Sequence, residues 1–210
     1  MVPASEALQR LKDGNVRFVA GKSAEMHRTH KLVDNQKPFA IVLGCSDSRV
    51  PPEIVFDHGV GDMFCIRVAG NIVTPLELGS VEFAAIEFGP RLVVVMGHSC
   101  CGAVQATVKA LADPDADLSG LSAGMQTIVS HIGESVNRED QTGTESDHQS
   151  VVDRTIDDNV RNSVRSICNG SSVLKDLIAN DGMVVVGARY AIETGVVEFI
   201  ECPEVVGSHA

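Results

Sequence analysis

Two stretches of this chain, PFAIVLG at 38–44 and RLVVVMG at 91–97, are apolar without the alternation a half-exposed strand would show. Strands of that kind need cover on both faces, which points to a parallel sheet with helices above and below it. Each run ends in a turn rich in reactive side chains: CSDSRVPP follows the first and HSCCG the second. MFCIRV at 63–68 is a third strand candidate. MVVVGAR (183–189) and GVVEFIE (195–201) close the chain as two more. They join through a turn near Glu193-Thr194-Gly195, a connection short enough to make that pair antiparallel.

Helical segments separate the strands. A helix over 5–19 opens at Ser5, with Leu8, Leu11 and either Val16 or Phe18 on its apolar face. Thr74-Pro75-Leu76-Glu77 combines an N-cap, a proline at the first position and an acid at the third, so a helix runs from there to Gly89-Pro90. Others are expected from Cys101 to Leu111, over about 148–168, and in a short piece capped by Ser171 or Ser172 and closed by Gly182. Gly21 to Asn35 and the acidic stretches 112–120 and 133–149 read as exposed segments. The expected fold is α/β: one domain over 1–210 with a central, mostly parallel sheet flanked by helices. It has an antiparallel C-terminal edge and an N-terminal helical arm within 1–35.

Composition narrows the function. Hydrophobic residues at 44% against 21% charged suit a soluble chain with a substantial core, and 4% aromatics leave that core to Val, Ile, Leu and Ala. A formal charge of −11 disfavours nucleic acid and anionic membranes. It leaves an anionic substrate open, because an arginine or a metal can reverse the field locally. No run approaches the roughly 20 apolar residues of a membrane span, and the N-terminus lacks the pattern of a signal peptide. A cytoplasmic location is expected, a removed leader aside. The six cysteines, at 45, 65, 100, 101, 168 and 202, need not be paired in a chain of this size. Cys65 reads as a small buried hydrophobe, and Cys168 and Cys202 as structural.

In open α/β sheets, ligands sit beyond the carboxyl ends of the strands. Cys45 lies there after the first run, and His98 and Cys101, at i and i+3, after the second. Two thiolates and one imidazole suit Zn²⁺ and leave one tetrahedral position over, the pattern of a catalytic zinc. The same residues could equally be inert packing. Either Cys100 or Cys101 could be the ligand; Cys101 is favoured because Gly102 follows it and eases a close backbone approach. Asp47 and Arg49 flank Ser48 and can pair, holding the carboxylate ionised. That pair is either an acceptor for a metal-bound water or an ordinary loop salt bridge.

Cys45-Ser46-Asp47-Ser48-Arg49-Val50, followed later by His98-Ser99-Cys100-Cys101-Gly102, resembles the β-class carbonic anhydrases. Arg67-Val68-Ala69-Gly70-Asn71 and SVEFAAIEFG look like that family too. The likeness is good over about 5–112, reasonable in the closing strands, and a matter of pattern over 113–180. The resemblance implies Cys45, His98 and Cys101 as zinc ligands and Asp47-Arg49 as a catalytic dyad, with Gly102 on the substrate side. In some members the aspartate is instead a fourth ligand, so Asp47 is either acceptor or ligand. Where many relatives carry a glutamine thought to hold substrate, this chain has His58, a candidate substrate contact or proton carrier, or an ordinary loop histidine. The implied activity is reversible hydration of carbon dioxide to bicarbonate by attack of zinc-bound hydroxide. Two thiolates give that water a higher pKa than three imidazoles would. A homodimer or homotetramer with the helical arm crossing to a partner is also implied. Two alternatives remain. One is a hydrolase of carbon disulfide or carbonyl sulfide on the same site. The other is a non-catalytic zinc-binding or thiol redox-sensing protein, against which the Asp47-Arg49 pair argues.

Overall fold

The first apolar run becomes β1 (Ala40–Gly44), with every residue buried. In this computed structural model residues 1–23, 32–33, 36–112, 118–137 and 145–202 are described, the side chains of 145–148 excepted. Part of each of the segments 21–35, 112–120 and 133–149 expected to be exposed therefore lies outside the described residues, while Ser135 and Val136 within the last are buried. β1 pairs in parallel with β2 (Met63–Arg67) on one side and β3 (Leu92–His98) on the other, setting Val42 against both Cys65 and Val94. β4 (Val184–Tyr190) continues the parallel sheet beside β3, and β5 (Val197–Ile200) closes it antiparallel to β4. Among the described residues the order is β2-β1-β3-β4-β5, the mostly parallel α/β sheet with an antiparallel edge that the apolar runs require.

Successive residues of the central strands feed opposite layers. Val42, Val94 and Met96 join one core with α1 (Ala4–Val19), α4 (Gly102–Ala112) and α5 (Ala123–Gly133). Ile41, Leu43, Val93 and Val95 join the other with α3 (Pro75–Glu87) and α7 (Ser172–Asn180). The long α6 (Glu145–Gly170) contributes to both. A very short α2 (Pro52–Val55) follows β1. No helix among the described residues is long and apolar enough to cross a membrane.

The capping box is present as expected: Thr74 Oγ1 accepts from Leu76 N at 3.3 Å and Glu77 accepts from Thr74 N at 3.0 Å. Ser171, rather than Ser172, caps α7 by accepting from Leu174 N at 3.2 Å. At α1 the expectation fails by a residue. The helix starts at Ala4 behind Pro3, whose φ of −59° already suits the entry, and Ser5 lies inside the first turn. Phe18, not the exposed Val16, packs on the core. α1 is seated on its own chain. Leu11 is fully buried, and the Asn15 amide donates to the carbonyls of Val55 and Gly195 and accepts from Val197 N. α5 went unread in the sequence; a single fully packed side chain, Ile132, anchors it, too little for a visible period.

α6 crosses close over the sheet at Gly97. A Cβ there would stand 2.6 Å from Val160 Cγ2. Gly97→Ala is therefore expected to lower stability by about 1–3 kcal/mol in urea unfolding. Combining it with Val160→Ala should cost clearly less than the sum of the two single changes. Strict additivity would contradict the close approach.

Candidate metal centre

The chain leaves β1 for one neighbour and returns to β3 on the other side, so the carboxyl ends of β1 and β3 flank a switch in strand order. Cys45 directly follows β1, and His98 is the last residue of β3. Cys101 immediately precedes α4. Their Sγ and ring nitrogen atoms all lie within 4.8 Å of one another, and all three residues are buried. Among the described residues this is the one such group.

His98 Nδ1 lies 2.8 Å from the Ser99 carbonyl. A carbonyl only accepts, so Nδ1 carries the proton and Nε2 presents a lone pair. That Nε2 is buried and has no hydrogen-bond partner, a condition costing about 1–3 kcal/mol unless something binds it. Gly70 N and Asp47 N point at Cys45 Sγ, at 3.3 and 3.5 Å. The Cys101 thiol foremost, with these two amides, holds Cys45 well below the usual thiol range against the opposing effect of burial. The hydrogen bond to Cys45, then burial, push Cys101 the other way. A cation between them would release the Cys101 proton. Two soft sulfurs and an orphaned imidazole nitrogen fit a divalent metal such as zinc.

Cys101 faces this cluster for a reason other than the expected one. Gly102 has ordinary backbone angles and open space around it. The reversal is made by Cys100, whose φ is 55°. Gly102 is exposed at the start of α4.

Asp47 and Arg49 pair through both carboxylate oxygens, Nε to Oδ1 at 2.9 Å and Nη2 to Oδ2 at 2.7 Å, with Arg49 N also on Oδ1 at 2.9 Å. The guanidinium hydrogen bonds hold the Asp47 carboxyl far below the ordinary carboxylate range. Arg49 Nη2 reaches on to the Cys100 carbonyl at 3.2 Å, linking the two turns. His58 is not brought to this cluster within the chain. It stacks edge-on to Phe39 just before β1, with Nε2 3.2 Å from the Arg10 carbonyl and Nδ1 3.8 Å from Asp62.

Several supporting residues had no role assigned from the sequence, although Arg67 and Gly70 stand in the segment that resembles the family. Arg67, at the end of β2, donates to the carbonyls of Cys45 and Asp47 at 3.0 and 2.6 Å and so shapes the first turn. Gly70 takes φ 70° where a Cβ would meet Ile132 at 2.6 Å. Asn159 and Ser163 of α6 hold the carbonyls of Gly70 and Asn71. Thr155, Asn159 and Ser163 are buried and recur every fourth residue. That polar stripe within an apolar helix face was the available signal.

Above neutral pH, one proton, that of Cys101, should leave as a metal enters, so affinity for Co²⁺ is expected to rise about tenfold per pH unit and to fall as pH drops. Cys100→Ser should keep the thiolate-to-cobalt absorption and Cys101→Ser should diminish it. The opposite pattern would reassign the donor.

The family model described as carbonic anhydrase matches residues 40–197. The chain is 37% identical to a carbonic anhydrase of Mycolicibacterium smegmatis over 91% of both sequences. It is 36% identical to carbonic anhydrase 2 of Mycobacterium tuberculosis over 90% of this chain and 89% of that one. A solved structure from the filamentous ascomycete Sordaria macrospora, one of two tetrameric β-carbonic anhydrases, shares the fold with a TM-score of 0.70 at 24% identity, over 82% of this chain and 85% of its own. With that family model matched over most of the chain and curated carbonic anhydrases 36–37% identical across about nine-tenths of it, the chain belongs to the β-class carbonic anhydrase family, enzymes of the lyase class.

Proposed function

We propose that this chain catalyses the reversible hydration of carbon dioxide to bicarbonate on a zinc ion held by Cys45, His98 and Cys101. The observation that carries it is the unpartnered, buried Nε2 of His98, set among two cysteine sulfurs and next to an arginine-held aspartate. When bound, zinc supplies Lewis-acid chemistry that makes water a nucleophile at neutral pH, the chemistry for which carbonic anhydrases are the standard example.

The protein's own groups do the rest. The amides of Gly70 and Asp47 keep Cys45 anionic, and the Ser99 carbonyl keeps the His98 lone pair pointing inward. Two anionic sulfurs and a neutral imidazole leave a tetrahedral ion one position short. Arg49 occupies the Asp47 carboxylate on both oxygens, which supports the reading of Asp47 as an acceptor held at the site instead of a fourth ligand. Oδ2, which accepts once while Oδ1 accepts twice, retains a lone pair that can take the hydrogen bond of the attacking water and so orient it. Gly102, bare of side chain beside Cys101, leaves room for a small apolar substrate. His58 lies against Phe39, at the other end of β1 from the cluster within this chain. No observation favours the sulfur-substrate or non-catalytic readings.

The chain is further proposed to assemble as a homodimer or homotetramer. Support comes from the tetrameric Sordaria protein and from Leu76, Phe83 and Ile86, all more than half exposed on α3 near β2 at the sheet edge.

Stopped-flow hydration tests the central point. Protein carrying about one zinc per chain is expected to turn over carbon dioxide, and Asp47→Asn to retain zinc while losing roughly 10²-fold in kcat/KM. Full zinc occupancy without hydration at any pH would remove the assignment.

A further inference from the structure

Cys100 takes no place in the metal cluster, yet it makes the turn that forms the cluster. Its φ of 55° is left-handed, a conformation that costs a side-chain-bearing residue about 1–2 kcal/mol and is free only to glycine. Something must hold it there. Two contacts do. The Cys100 thiol donates to Glu193 Oε1 at 3.4 Å, and the Cys100 carbonyl accepts from Arg49 Nη2 at 3.2 Å.

Glu193 lies on the turn between β4 and β5, far along the chain from either reactive turn. Its second oxygen, Oε2, accepts from Ser99 Oγ at 2.8 Å. Ser99 Oγ in turn accepts from Ile192 N at 2.9 Å, while Ser99 N donates to the Tyr190 carbonyl at 2.9 Å. One carboxylate thus grips two consecutive residues between His98 and Cys101. The surrounding backbone fixes the first of them independently, so the part of the grip left to Glu193 alone is on Cys100.

We infer that Glu193 is a positioning residue for the metal centre: it holds Cys100 left-handed, so that Cys101 faces Cys45 and His98 while the Cys100 carbonyl meets the arginine that holds Asp47. This explains why a cysteine, not a glycine, can occupy the strained position, since its thiol gives Glu193 something to hold. The inference rests on the proposed zinc reading.

The test is zinc affinity, measured by competition with a chromophoric chelator, on four proteins: the natural chain, Glu193→Ala, Cys100→Gly and the double variant. Glu193→Ala is expected to weaken zinc binding about tenfold in the natural background. In the Cys100→Gly background, where the left-handed turn needs no support, the same change should cost less than about twofold. An equal loss in both backgrounds, or no loss in the natural one, would overturn the inference. If Glu193→Ala does not fold, Glu193→Met, which keeps the length and lacks an acceptor oxygen, carries the same comparison. A natural chain that binds no zinc would instead remove the metal reading itself, so the two failures are distinguishable.

Discussion

A neutral imidazole nitrogen buried without a partner is the constraint around which this site is arranged. His98 is completely inaccessible, and its Nδ1 is already committed to the Ser99 carbonyl. The remaining lone pair must be satisfied by something brought in, and two sulfurs stand ready to share it. The same low-dielectric surroundings that make the orphan costly make a cation there strongly held. Removing either the imidazole or a sulfur would leave the others as buried polar groups without a purpose.

The fold meets that constraint by bringing chain segments together at one switch point. β1 delivers Cys45, β3 delivers His98, and the reversal at Cys100 delivers Cys101. Contacts from elsewhere in the chain hold these turns. Arg67 holds the carbonyls of the first, Arg49 bridges the first to the second, and α6 holds the Gly70-Asn71 turn whose amide reaches Cys45. The close seat of α6 over Gly97 and Gly187 is what brings Asn159 and Ser163 within reach. The packing of α6 against the sheet therefore sets electrostatics at the carboxyl end of its strands.

Much of this was legible in the sequence, for identifiable reasons. The runs at 38–44 and 91–97 announce doubly covered strands because nothing polar interrupts them, and the Thr74-Glu77 box is local chemistry that needs no tertiary context. That Cys45, His98 and Cys101 come together was readable because the two thiols and the imidazole stand just after adjacent parallel strands. The cause of the Cys101 orientation was not. Glycine was the natural expectation for a reversal, but here tertiary hydrogen bonds impose positive φ on Cys100, which no local rule reveals. Arg67, Asn159 and Glu193 act across long sequence separations on carbonyls, a hydroxyl and a thiol, and their residue types alone say nothing of such targets. His58 looked chemical by position in a motif, yet its ring is taken up by Phe39 at the opposite end of β1.

X-ray absorption at the zinc edge, on protein purified without chelators, tests the donor set most directly. The account predicts one zinc per chain with two sulfur ligands, one imidazole nitrogen and one further nitrogen or oxygen neighbour. A third sulfur, showing Cys100 drawn into the metal shell, or a site lacking imidazole, would contradict it.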